Sequence, residues 1–326
     1  MATLYPKQKT HYLNILHASW PGGLIVGGLL AYCFAGFEGG APAIQKLRWE
    51  IPLGMFLVPV LLYGLLILLE KMPQSEAQSA GVSLGEMLSY LASPLLIVLI
   101  VLHVMVGYVE LGTDSWVTNI MGNVIQQNAI LLFIYTSALM FVLRFFAGPI
   151  VERINPLGLL AISSVLGVVG LRLLSVADAA ASAFIAATIY GVGKTFLWPT
   201  MLGVAGERFP RGGAVVMGAL GGAGMLSAGL LGGPLIGYKQ DYFASQELRE
   251  QSNETYLRYR TDQEPAAPLP GLPKIRGLDG AKVGVVLHDG TELEQEIKLV
   301  RDLNRTDKGA KSLEELDALR RIMSSD

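Results

Sequence analysis

Long apolar runs broken by brief polar punctuation fill the first 237 positions of the chain. A helix needs about 20 mostly apolar residues to cross a bilayer. Seven runs meet that length: roughly Leu13–Phe37, Ile51–Leu69, Leu88–Leu111, Ala129–Ile150, Leu157–Val176, Ala180–Ala205 and Ala214–Ile236. Their connections are short and carry Pro, Gly or Asn. The longer one, KMPQSEAQSAGVSLGEM at 71–87, is polar and divides two helices from five. From about Tyr238 the pattern changes. DYFASQELREQSNETYLRYRTDQE predicts a polar helical stretch, and EPAAPLPGLPKIRG a proline-rich linker. Two short β-like runs flank Asp289-Gly290, a hairpin signal. SLEELDALRRIMSSD opens on Ser312 with Glu315 three residues on, the spacing of a capping box. The expected fold class is an all-α, multi-pass helical bundle of about seven transmembrane helices, followed by a small polar C-terminal α/β tail.

Composition agrees with that pattern. Of 326 residues, 52% are hydrophobic and only 16% charged, against about a quarter charged in soluble domains. The 38 glycines fit a membrane bundle, where glycine is enriched. The net charge of −2 implies no nucleic-acid partner. The single cysteine, Cys33, excludes a disulfide framework and a cysteine metal site. Residues 1–12, MATLYPKQKTHY, are polar and lead into an apolar run too long for a signal peptide. Alternate connections hold Lys7, Lys9, Lys71, Arg153, Arg208 and Arg211, with Arg144 near the same face; the others hold Lys46, Arg48 and Arg172. Excess Lys and Arg marks the cytoplasmic side. Residues 1–12 and 71–87 are therefore expected inside, and 238–326 outside, in a cell (inner) membrane.

Ionisable residues within the apolar runs are the candidate chemistry, since a central Lys or Asp costs roughly 2.5–3.5 kcal/mol on insertion scales. In IYGVGKTFLWPT, residues 189–200, Lys194 lies far from either helix end. GVGKT is not a phosphate loop: the motif needs glycine where Thr188 stands, and no strand precedes it. Gly191, Gly193 and Pro199 weaken the helix around Lys194, as at a gating bend or binding site. Trp198 lies one turn on, on the same face. A cation and an aromatic on one wet face suit a sugar or an anionic organic solute. The competing reading of Lys194 is a structural pairing with carbonyls or an acid.

Glu110 ends a mostly apolar run and reads as a proton carrier, a partner for Lys194, or an interfacial carboxylate, since Asp114 and Trp116 follow at once. His103 reads as hydrogen-bonded structure or a proton relay. In LNILHASWPGG, Asn14, His17 and Trp20 recur at three-residue spacing, a polar side suited to a cavity. Gly218/Gly222, Gly229/Gly233, Gly233/Gly237 and Gly23/Gly27 are spaced as small-residue pairs that let helices approach closely.

Several segments resemble the major facilitator superfamily. RFFAGPIVERINPLG at 144–158 resembles its short cytoplasmic loop, G-x-L-x-D-R-x-G-R-R: Gly148, Ile150, Glu152 and Arg153 match in kind, and Asn155-Pro156-Leu157 replaces the basic end. LNILHASWPGG resembles the start of the fifth helix in the fucose-permease-like branch. WPTMLGVAGERFPRGG and MGALGGAGMLSAGLLGGPLIG resemble its tenth and eleventh helices. The resemblance implies a fragment covering helices five to eleven. Residues 1–70 would be the last two helices of the first half, 71–87 the central cytoplasmic loop, 88–237 five helices of the second half, and 238–326 an extramembrane tail or long outside loop. The missing helices of a full-length transporter would then be partners. The implied function is secondary transport of a sugar or small organic solute, coupled to a proton or cation, by alternating access. Lys194, Trp198, Asn14, His17, Trp20 and Glu110 would line the path; Arg144, Gly148, Glu152, Arg153 and Arg208 would form the cytoplasmic gate. No cofactor or metal is expected. The alternatives are a seven-helix sensor or scaffold with an outside binding module, and a membrane-embedded enzyme. The enzyme lacks support because the histidines are scattered and no nucleophile–base spacing appears.

Overall fold

A computed structural model describes residues 2–34, 46–71, 73–117 and 130–283, together with Ile44 and Met121. Fourteen α-helices can be traced among them. In chain order they are α1 Lys9–His17, α2 Ser19–Phe34, α3 Glu50–Gly54, α4 Leu57–Leu69, α5 Glu76–Ser79, α6 Leu84–Ser89, α7 Pro94–Gly107, α8 Ile130–Arg144, α9 Ala147–Leu174, α10 Ala180–Thr195, α11 Leu197–Arg208, α12 Gly213–Leu226, α13 Gly233–Gln251 and α14 Asn253–Tyr259. No sheet forms among the described residues. Six stretches are long and apolar enough to cross a membrane: Lys9–Phe34, Glu50–Leu69, Pro94–Val117, Ala147–Leu174, Ala180–Arg208 and Pro210–Gln251. Ile130–Arg144 is a shorter apolar helix. The molecule is an all-α membrane bundle.

The chain forms two compact units, Met1–Gly232 and Gly233–Asp326. Within the first unit the helices break where the backbone chemistry demands it. Pro199 has no N–H to give the carbonyl four residues earlier. The sixth apolar run accordingly divides at Phe196 (φ −102°, ψ −6°) into α10 and α11. Pro21 acts alike in the first run, which divides at Ala18 into α1 and α2. The expected span Ala129–Ile150 ends at Arg144 instead, and α9 starts at Ala147 after a turn. Asn155 then interrupts α9 at φ 56°. Its Oδ1 accepts the Gly158 N–H at 2.9 Å, and Pro156 follows it. This is an N-cap with proline at the first helical position. Asn155-Pro156 therefore restarts the helix inside the loop motif.

Close crossings hold the first unit together. A Cβ at Gly193 would lie 2.5 Å from the Gly167 backbone N, and one at Gly170 would lie 2.3 Å from that of Tyr190, so α9 and α10 touch through their backbones. Two π-helical turns, Tyr108–Gly112 and Ser227–Gly232, pack against each other. A Cβ at Gly107 would lie 2.2 Å from the Gly224 O, and one at Gly112 would lie 2.9 Å from the Gly232 Cα. Most of the glycine pairs expected from spacing do not make such contacts: nothing lies within 4 Å of a Cβ at Gly23, Gly27, Gly218, Gly222 or Gly229. The residues that touch are the neighbours Gly28, which meets Ile134, and Gly224 and Gly232. Spacing groups glycines on one helix face but does not say whether that face meets a partner. In the second span no residue of α3 or α4 is buried.

The second unit begins with α13 and α14. Ser252 caps α14, its Oγ accepting the Thr255 N–H at 3.2 Å. The proline-rich segment folds back through two isolated bridges, Arg260 with Leu278 and Ala266 with Ile275. Tyr256 donates to the Arg276 carbonyl at 2.9 Å and Tyr238 to that of Pro273 at 2.8 Å. The hairpin expected at Asp289-Gly290 and the helix expected from Ser312 lie outside the described residues.

Candidate functional site: two buried ion pairs at the helix breaks

α1 runs antiparallel to α11. Thr10 donates to Glu207 at 3.0 Å and Asn14 to Thr200 Oγ1 at 3.3 Å. Glycine at 203 permits the crossing, since a Cβ there would lie 2.4 Å from Thr10 Oγ1. This packing sets the break at Ala18 beside the break at Phe196.

Four ionisable side chains converge at these breaks, all of them buried. Arg144, the last residue of α8, donates from Nη2 to Glu110 Oε1 at 2.7 Å. Its Nε donates to the Thr195 carbonyl at 2.9 Å, and its Nη1 to the His17 carbonyl at 2.5 Å. Glu110 Oε2 accepts the Trp198 N–H at 3.1 Å. Lys194 donates to Asp114 Oδ1, and its ammonium stands 5.1 Å from the centre of the Tyr190 ring. Tyr190 in turn donates to the Val109 carbonyl at 2.7 Å. Both carboxylates belong to the stretch that begins with the first π turn. A π turn is frequent at functional sites because it re-aims side chains against the helical register. Two cations thus face two carboxylates away from water, where removing one partner costs about 3–5 kcal/mol.

The other expected residues take various positions. Trp198 tilts against His103, ring centres 4.4 Å apart, and only glycine at 224 leaves it room. His103 is fully buried with neither ring nitrogen bonded among the described residues. Asn14 is buried; His17 is partly exposed, its Nδ1 2.8 Å from the Leu13 carbonyl. Trp20 is 48% exposed. His17, Ser19 and Trp20 line an open, largely apolar pocket of about 460 Å³ at the first break. Of the expected gate residues, Arg144 stands apart from the rest. Arg144 points into the core, away from that group, because the freed carbonyls and Glu110 lie there. Glu152, Arg153 and Arg208 are exposed and form no ion pair among the described residues. Gly148 donates its N–H to His11 Nδ1 at 3.0 Å, and a Cβ on it would overlap that ring. Lys194 does not meet Glu110: its acid is Asp114.

The Lys- and Arg-rich connections gather at one end of the first unit. Lys9 pairs with Glu76 at 2.7 Å and donates to the Gly206 carbonyl at 3.3 Å; Arg211 pairs with Glu86 at 3.3 Å. Among the described residues no group of three or more His, Cys, Asp or Glu could hold a metal.

Residues 1–233 match the family model described as Major Facilitator Superfamily. The chain belongs to the Major Facilitator Superfamily. That superfamily consists of secondary transporters, not enzymes, and the chain is a multi-pass membrane protein of that kind. No curated protein and no solved structure matches it.

The sequence pattern marked Asp114 only as a neighbour of Glu110, and did not single out Thr195 or the inward turn of Arg144. Asp114 carried a signal: it lies four residues after Glu110 in a run that is otherwise almost free of charge.

Proposed function

We propose that this chain moves a sugar or similar small polar solute across the cell (inner) membrane, driven by a proton. The path runs past Lys194, Trp198, Asn14, His17, Trp20 and Glu110. The observation that carries this reading is the pair of buried ion pairs, Arg144–Glu110 and Lys194–Asp114, at two adjacent helix breaks. Buried intramembrane charges are costly and mark ion or substrate pathways. Discontinuous helices near the midplane are where transporters of this type bind. Trp198 beside the pairs and Trp20 in the pocket supply the flat apolar faces that stack on sugar rings. Glu110 is the proton-carrying group, because its charge is balanced by one guanidinium that protonation would release. Gly148, Glu152, Arg153 and Arg208 form the gate at the charged end. That end, with 1–12 and 71–87, is cytoplasmic, by its excess of Lys and Arg.

Uptake of radiolabelled hexoses into proteoliposomes with an imposed proton gradient tests the reading. Uptake should stop when a protonophore collapses the gradient. Lys194→Ala should lower uptake about tenfold or more while membrane insertion stays intact. Normal uptake by that variant would remove Lys194 from the path. Uptake indifferent to the gradient would remove the proton.

A further inference from the structure

In an α-helix each N–H bonds the carbonyl four residues back. Proline supplies no N–H, so Pro21 frees the carbonyl of His17 and Pro199 frees that of Thr195. In a bilayer a freed carbonyl must find an internal donor. Here the same side chain takes both: Arg144 bonds His17 through Nη1 and Thr195 through Nε. Its remaining nitrogen holds Glu110 Oε1, whose other oxygen takes the Trp198 N–H just past the second break. Each break carries the dipeptide Trp-Pro, at 20–21 and 198–199. One planar guanidinium has donors for all three acceptors at fixed angles; an ammonium is a compact point charge without that fork.

We propose that Arg144 is a positioning residue that ties the two proline breaks into one switch. While it is in place, the bends at Ala18 and Phe196 are both held. When it withdraws, both carbonyls lose their donor at once, and the first and sixth spans change shape together. This rests on the transport reading, in which the breaks move during the cycle.

Hydrogen exchange of the full chain in lipid nanodiscs, read by mass spectrometry without solute, tests it. Arg144→Lys keeps a cation opposite Glu110 but loses the fork. Exchange should rise together in peptides covering 14–24 and 192–203, by about tenfold. Pro199→Ala gives Thr195 a backbone donor, so adding Arg144→Lys to it should raise exchange at 14–24 only. Pro21→Ala should give the mirror result. A rise at one break alone with both prolines present would overturn the proposal. So would equal rises at both breaks whatever the proline background. If Arg144→Lys does not fold, it should fold once both prolines are alanine; failure there too would show that Arg144 matters only through Glu110. Because no solute is involved, a chain whose breaks respond together but which takes up no hexose sinks the transport reading and leaves the switch standing.

Discussion

At the scale of single residues, the first unit depends on charges that match and glycines that touch. Lys194 and Asp114 should behave as a pair. Lys194→Ala or Asp114→Asn alone leaves a buried charge uncompensated, for a loss of about 3–5 kcal/mol. The double variant should lose clearly less than the sum, which denaturant unfolding in detergent measures as a double-mutant cycle. Strict additivity would mean the two groups do not interact. Gly224 admits both Trp198 and the Gly107 crossing. Gly224→Ala should cost about 1–3 kcal/mol through overpacking and lower uptake with it. An unchanged melting temperature would show that the indole can move aside.

At the scale of elements, the two π turns decide how α7 and α12 meet. Gly232 faces Gly112 across that crossing, whereas a Cβ at Gly229 meets open space. Gly232→Ala should therefore lower the melting temperature by several degrees, and Gly229→Ala should leave it unchanged or raise it slightly. Equal effects would place the crossing elsewhere. The division of the sixth run at Phe196 follows the same logic of local cause and distant completion. Pro199 makes the break unavoidable, but Arg144, from another helix, satisfies the carbonyl that the break leaves.

At the scale of the whole molecule, sidedness is the property to measure. Lys9–Glu76, Thr10–Glu207 and Arg211–Glu86 bring the N-terminal segment, the 76–86 segment and the 207–211 turn to one end of the first unit. With Cys33 replaced by Ala, a single cysteine at Ser79 or Lys7 should react with an impermeant maleimide only after the membrane is opened. Labelling of Ser79 and Lys7 from opposite sides would contradict the contacts among these segments.

The sequence alone determined the rough position of the apolar runs, though the fourth forms only the shorter helix Ile130–Arg144, the polar stretch after them, the connections carrying most Lys and Arg, and Lys194 and Glu110 as charges out of place. Each is a local signal: length, composition, or a charge inside an apolar run. It also resembled the superfamily that the family match established. Only the tertiary structure decided the partners. Lys194 finds Asp114 across 80 positions and Arg144 finds Glu110 across 34, and no periodicity encodes a pairing at that range. The glycines tell the same story, because spacing singles out Gly222, whereas Gly224 lies nearly opposite it on the helix and only the crossing selects Gly224. Arg144 read as a loop charge for the same reason. Its place in the core depends on two carbonyls that prolines free in other helices, and their convergence exists only once the helices have packed.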